Sequence, residues 1–265
     1  MNKDKYSALF SKSVNEWSKP PIDGIGYLHS EELLKINDYS LKQMVLSFVN
    51  TRYDIHSSRN HNNLWRKYSG LDSTFNKTVI DFGCGSGIES LELAKLGNEI
   101  ILSDISENNL KLAERIHNLF GFKPKELVLI EGNKPFFGCS KFDIFHSCGV
   151  LHHTPYMSEI IEHSISFFTG NPYYRVLLYT DVCWKIRTDT DLDYKTPIHL
   201  QKGFKRFVKA MDDVGFYADW YDYKKLTSIL PESLKIKSFN YIGGDCLKNQ
   251  YAVVTIQGKN DDSEL

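Results

Sequence analysis

Three glycines stand at alternate positions behind an apolar run, Val79-Ile80-Asp81-Phe82-Gly83-Cys84-Gly85-Ser86-Gly87. Glycine lets a chain turn sharply and lets a ligand come close to the main chain. Ile88-Glu89-Ser90 then opens an amphipathic helix, whose first N–H groups lack helical partners and carry the positive end of the helix dipole. A second carboxylate, Asp104, ends the next apolar run, Ile101-Leu102-Ser103-Asp104. Roughly twenty residues past the first glycine, a carboxylate at a strand tip is placed to accept hydrogen bonds from both hydroxyls of a ribose. The pair points to a nucleoside cofactor at the carboxyl ends of parallel strands.

The spacing narrows the choice. A dinucleotide fingerprint puts its third small residue where this chain has Ile88, so a nicotinamide dehydrogenase is disfavoured. A phosphate-binding loop of the G-K-[ST] kind is absent from the sequence. Read singly, the glycines fit a plain tight turn, and Asp104 or Ser106 fits a helix N-cap.

Asp81-Phe82-Gly83-Cys84-Gly85-Ser86-Gly87 resembles the first motif of the class I S-adenosylmethionine-dependent methyltransferases. The stretch from Phe142 to Pro155, with Ser147-Cys148-Gly149-Val150-Leu151-His152-His153 at its centre, resembles the fourth-strand motif of their small-molecule branch, which includes quinone-biosynthesis enzymes. The resemblance spans residues 77–180 well and the strand rhythm to 257 loosely. It implies that Gly83, Gly85 and Gly87, with Cys84 between them, line the methionine portion of the cofactor, with Asp81 near its amino group. It further implies that Asp104 holds the ribose, that Ile105 and Asn109 lie beside the adenine, that Asn133 faces the adenine amino group where the family often has Asp, and that the backbone around Ser147 and Cys148 meets the methionine ammonium. Cys84 and Cys148 read as small packing residues rather than nucleophiles.

Methyl transfer from a sulfonium is an in-line displacement with a good leaving group, so alignment and exclusion of water can supply much of the rate. A base is needed only when the acceptor must lose a proton. His152 and His153, just past the fourth strand, are the candidates, against the plainer reading that one of them packs or caps. Residues 181–222 form a longer connection than most and hold many aromatics. Trp184, Arg187 and Tyr221 within it, with Trp65 before the first strand, are candidates to roof an acceptor; cap core is the alternative for each. Lys202, Lys205, Arg206 and Lys209 share a helical face that could meet an anionic acceptor or simply water. His56, His61 and His152 have no metal-ligand spacing. Asn171-Pro172-Tyr173-Tyr174 precedes the fifth strand and reads as a turn, which counts against an adenine N-methylase.

The elements that must hold these groups follow from periodicity. Strands are expected over Thr78–Phe82, Ile100–Ser103, Glu126–Ile130, Phe142–Ser147, Tyr174–Thr180, Ile236–Tyr241 and Tyr251–Gln257. Helices are expected over Asp38–Thr51, Ile88–Leu96, Glu107–Phe120, Met157–Phe168, Gln201–Val214 and Tyr223–Leu230. The expected architecture is α/β: a Rossmann-like, seven-stranded, mostly parallel sheet with one antiparallel closing strand. Residues 1–76 read as a helical N-terminal extension, 77–257 as the methyltransferase domain with a cap inserted at about 181–222, and 258–265 as a disordered tail.

Composition sets the outer bounds. The 265 residues carry 32 Lys and Arg against 33 Asp and Glu, a formal charge of -1, which disfavours non-specific nucleic-acid binding. The opening Met-Asn-Lys-Asp-Lys-Tyr lacks the apolar core of a secretory leader and no apolar run reaches membrane-spanning length, so a soluble protein kept in the cytosol is expected. The five cysteines lack paired spacing and suit free thiols in the cytoplasm. The expected reaction moves a methyl group from S-adenosylmethionine to oxygen or carbon of a small metabolite, such as a sugar, a nucleotide-linked compound or a natural-product intermediate. Methylation of a protein side chain and a non-catalytic cofactor-binding subunit are the alternatives; the oligomeric state is not written in the sequence.

Overall fold

The computed structural model describes residues 28–57, 60–131, 137–211, 217–243 and 249–259. Seven strands form one sheet: β1 (Thr78–Phe82), β2 (Glu99–Asp104), β3 (Glu126–Leu129), β4 (Ile144–Cys148), β5 (Tyr173–Tyr179), β6 (Leu234–Ile242) and β7 (Tyr251–Gly258). Their spatial order is β3-β2-β1-β4-β5-β7-β6. The first five pair in parallel, and β7 runs antiparallel to both β5 and β6. The one antiparallel strand therefore lies between β5 and β6 instead of at an edge.

The helices are α1 (Ser30–Leu33), α2 (Asp38–Arg52), α3 (Leu64–Ser69), α4 (Ile88–Ala94), α5 (Glu107–Leu119), α6 (Met157–Ser164), α7 (Asp181–Thr188), α8 (Phe204–Met211) and α9 (Tyr223–Ile229). Their starts are chemically marked. Asn37 caps α2 by accepting from Ser40 N, Ser106 caps α5 through Asn109 N, Thr180 caps α7 through Cys183 N, and Asp222 caps α9 through Lys225 N.

Alternation along β1 divides the core in two. Val79 faces a layer with Trp65, Leu93, Ile100, Ile144 and Leu177, while Ile80 and Phe82 face Ile101, Phe145, Ile161 and Tyr174 on the other side. The N-terminal helices are packed onto this frame. Leu33, Leu41, Val45 and Phe48 share a cluster with Ile88, Leu91, Leu112 and Ile116 of α4 and α5. The segment between β5 and α9 has a centre of its own, in which Trp184, Phe207, Trp220 and Ile198 meet Tyr179.

Several boundaries differ from the sequence expectation. Phe142 makes an isolated bridge to Phe168, and β4 starts only at Ile144. The expected helix over Met157–Phe168 ends at Ser164 and tightens into a 3₁₀ turn over Ile165–Phe167. Gly258 is the last residue of β7, its N–H donating to the Pro172 carbonyl, so the expected tail begins one residue too early. Residues 260–265, and the greater part of the expected N-terminal extension, 1–27, lie outside the described residues.

Candidate active site

The glycine loop joins β1 to α4 and is pinned from behind. Gly83 N and Cys84 N both donate to the Ser103 carbonyl at 2.8 and 2.9 Å, and Gly87 N donates to Cys84 O at 2.8 Å. Gly83, Gly85 and Gly87 all have positive φ, at 75°, 52° and 69°. A Cβ on Gly83 would sit 2.4 Å from Val150 Cγ2, and one on Gly87 would sit 2.7 Å from Ala113 Cβ. Those two positions are thus glycine so that the loop after β4 and helix α5 can close on the turn. Gly149, just past β4, differs: among the described residues a Cβ there would meet nothing within 4 Å.

Asp104 ends β2 and is 4% exposed. Its Oδ2 accepts from Gly85 N at 2.9 Å, while Oδ1 accepts from Ser106 N at 2.9 Å and Asn109 Nδ2 at 3.0 Å. Burial pushes the carboxyl up to about 6, against the pull of these hydrogen bonds. Asn109, buried, donates to Asp104 and accepts from the Ser30 hydroxyl through its amide oxygen. Its amide helps to orient the carboxylate. Ile105 is partly buried beside Asp104. Ser147, 1% exposed, spends its hydroxyl on the Phe82 carbonyl at 3.0 Å, which ties β4 to β1. Asn133 lies outside the described residues.

Beneath the loop runs a buried polar layer that periodicity did not reveal. Asp81 is pushed up to about 6 by burial, with His146 and Ser90 drawing it back. Glu89, on the first turn of α4, meets Arg52 Nη2 of α2 at 2.8 Å and His146 Nε2 of β4 at 3.3 Å. Burial works to raise Glu89, but Arg52 and His146 outweigh it and hold the carboxyl below its ordinary value. His117 of α5 reaches the Gly87 carbonyl at 3.0 Å, and burial lowers its imidazole to about 4, so the ring is neutral. Desolvation raises the Cys84 and Cys148 thiols well above their usual value, which suits packing rather than attack.

The two histidines after β4 have different fates. His152 is 1% exposed, stacked on the Tyr179 ring at 3.8 Å, and burial lowers it well below its usual value. The expectation that it could serve as a base does not suit a ring enclosed by Tyr179 and the β5 backbone. His153 is half-buried, and its Nδ1 lies 3.1 Å from the Tyr217 carbonyl. A carbonyl only accepts, so Nδ1 carries the hydrogen and Nε2 the lone pair.

The expected roof is mostly core. Trp65 packs against the sheet in the layer with Val79, and Trp184 is the centre of the cap cluster, so neither borders an open acceptor space. Arg187 Nε donates to Gln250 Oε1 at 2.9 Å and clamps α7 to the segment before β7. Tyr221 is 4% exposed and bridges Thr180; burial raises its phenol, and the Asp219 carboxylate adds to the shift. Lys202, Lys205 and Lys209 are exposed; Arg206 is exposed as well and donates to the Thr188 carbonyl at 3.2 Å.

Residues 80–167 match the model of a family described as a methyltransferase domain. No curated protein is similar enough to match. Among solved structures, a SAM-dependent methyltransferase from Aquifex aeolicus is 14% identical with a TM-score of 0.51, the match covering 84% of this chain and 99% of that one. An S-adenosylmethionine-dependent methyltransferase from Mesorhizobium loti is 12% identical with a TM-score of 0.54, over 73% of this chain and 96% of that one. PKMT2 from Rickettsia typhi, solved in complex with AdoHcy, is 14% identical with a TM-score of 0.52, over 74% of this chain and 52% of that one. At such identities the likeness speaks to the fold, and the family match speaks to the segment that holds both motifs. Residues 80–167 are thus similar to a methyltransferase domain, and the sheet that holds them has the fold seen in solved S-adenosylmethionine-dependent methyltransferases.

Proposed function

We propose that this protein binds S-adenosylmethionine across the glycine loop and Asp104 and transfers its methyl group to oxygen or carbon of a small acceptor held beside the loop after β4. The observation that carries the reading is the juxtaposition of Asp104 with the Gly85 main chain at 2.9 Å, at the adjoining ends of β1 and β2. A buried carboxylate there suits the two ribose hydroxyls, and the space left at Gly149 among the described residues suits the methionine end. Bound, the cofactor supplies an electrophilic methyl on a sulfonium. Asp81 contributes negative charge near the cofactor's amino group, the Arg52–Glu89–His146 layer keeps the loop's underside rigid, and the Tyr179-backed turn at Leu151–His153 screens the acceptor side from water. Where the acceptor must lose a proton, His153 Nε2 takes it.

A protein side chain as acceptor is the second reading. The enclosed cap core favours the first. Calorimetric titration with S-adenosylmethionine and with NAD tests the cofactor: micromolar binding of the former alone supports the reading, and binding of NAD alone overturns it.

A further inference from the structure

One carbonyl of the glycine loop faces more donors than it can serve. Gly87 O, at the start of α4, lies 2.9 Å from Leu91 N, 3.0 Å from His117 Nε2 and 3.1 Å from Ser90 Oγ. A carbonyl oxygen has two lone pairs, so three donors cannot all be accepted in full. The Leu91 bond is the first rung of the helix and is fixed by the backbone.

His117 is equally committed. The ring is fully buried and neutral, with a single N–H, and a carbonyl only accepts, so that hydrogen is on Nε2. Nδ1 is then a bare acceptor, without a donor among the described residues. A buried acceptor left so is costly, and an apolar side chain would fill the space without that cost. The bond at Nε2, not packing, is therefore what calls for an imidazole here. Ser90 alone has a choice. Its hydroxyl carries one hydrogen, and besides Gly87 O it bears on the Asp81 carboxyl and favours its ionised form. Burial, Glu89 and Asp104 oppose that charge, while His146, the other group that favours it, is engaged with Glu89 at 3.3 Å.

We propose that His117 is a positioning residue of the cofactor site. By filling the second lone pair of Gly87 O it directs the Ser90 hydroxyl to Asp81, and so holds that carboxylate for the cofactor's amino group. Without His117, the hydroxyl turns to Gly87 O and Asp81 loses a donor. The proposal rests on the methyltransferase reading for the ligand, and on the hydrogen-bond geometry for the route.

The test compares S-adenosylhomocysteine with 5′-methylthioadenosine, which keeps the nucleoside and the sulfur but has no amino acid end. Both are titrated by calorimetry into the full chain, as wild type and as His117→Leu, His117→Gln, Ser90→Ala and His117→Leu/Ser90→Ala. The wild type is expected to prefer S-adenosylhomocysteine. His117→Leu should cut that preference about three- to tenfold while leaving the affinity for 5′-methylthioadenosine nearly unchanged. His117→Gln, which keeps an N–H donor at similar reach, should restore most of it. Ser90→Ala should reproduce the loss, and the double variant should lose no more than either single one, since both act on one route. Equal loss for both ligands would mean that His117 only supports the fold, and additive losses would mean that Ser90 is not on the route. Either result overturns the proposal, as does an unmoved preference in Ser90→Ala, a variant small enough to serve should His117→Leu fold poorly. A wild type that binds neither ligand overturns the methyltransferase reading and the proposal with it; binding of both with the preference unmoved in every variant overturns the proposal alone.

Discussion

The two ends of the candidate site are built in opposite ways. The cofactor end comes from one short stretch, residues 81–109, in which two adjacent strands and their following helices present a glycine loop and a carboxylate. The proposed acceptor end is gathered from the turn after β4 and the strap leading into α9. The first is fixed by strand register and main-chain hydrogen bonds. The second is fixed by side chains that meet only once the cap has folded. A chain can therefore keep its donor chemistry in a local code while its choice of acceptor is spread over distant residues.

The comparison can be broken at several points, beginning where the effect should be greatest. If His153 acts as the base, His153→Gln lowers turnover about 10²–10⁴-fold with cofactor affinity intact; loss of both together would show instead that the turn is structural. Arg52→Met strands the buried Glu89 and should cost about 3–5 kcal/mol in denaturant unfolding, a test of how firmly the cofactor end is founded. An unfolding midpoint within error of wild type would refute that role.

Gly83→Ala combines a positive φ with the Val150 clash and should cost about 2–4 kcal/mol. Adding Val150→Ala should recover only the clash, and full recovery would mean that the backbone strain was misjudged. Asp104→Ala should weaken cofactor binding at least tenfold by calorimetry, since a charge-assisted hydrogen bond is worth about 1.5–3 kcal/mol.

The smallest effect is that of pH. Asp81 and Asp104 sit near 6 in the unliganded protein, above an ordinary carboxyl, so each favours the folded state when protonated. That contribution is present at low pH and is lost as pH rises through about 6. Ribose hydroxyls and a cationic amino group prefer the ionised forms, so cofactor affinity should rise between pH 5 and 7, by up to about tenfold per carboxylate. Calorimetry across that range should give a curve that Asp104→Asn flattens; a flat wild-type curve would rule the linkage out.

The same contrast explains what the sequence made legible. Gly83, Gly85, Gly87 and Asp104 follow fixed offsets from strand ends, and β-branched runs announced the sheet well. The buried Lys225–Asp219 pair beside the turn after β4 falls on no period. The cationic face at Lys202, Lys205, Arg206 and Lys209 is periodic and caught the eye, yet it faces solvent. From sequence, Trp65 and Trp184 suggest a roof because aromatic clustering looks alike in a core and in a pocket wall. The buried partnership of Arg52, Glu89 and His146 joins three elements that no local pattern relates. Asn133 and residues 1–27 lie outside the described residues.

The placement of β7 has a further consequence for how the molecule is made. Among the described residues, 251–258 are the last strand in sequence but an interior strand of the sheet, the sole ladder partner of β6 and the outer neighbour of β5. During synthesis, β6 has no sheet to join until Gly258 has emerged, and β5 stays an open edge for the same interval. The cap between them can collapse around Trp184 and Trp220 earlier, but Arg187 cannot find Gln250, and Thr180 N cannot reach the Gln250 carbonyl, until that strand arrives. The final eight-residue strand thus acts as a latch, and the time spent waiting for it is when this protein is most exposed to mispairing.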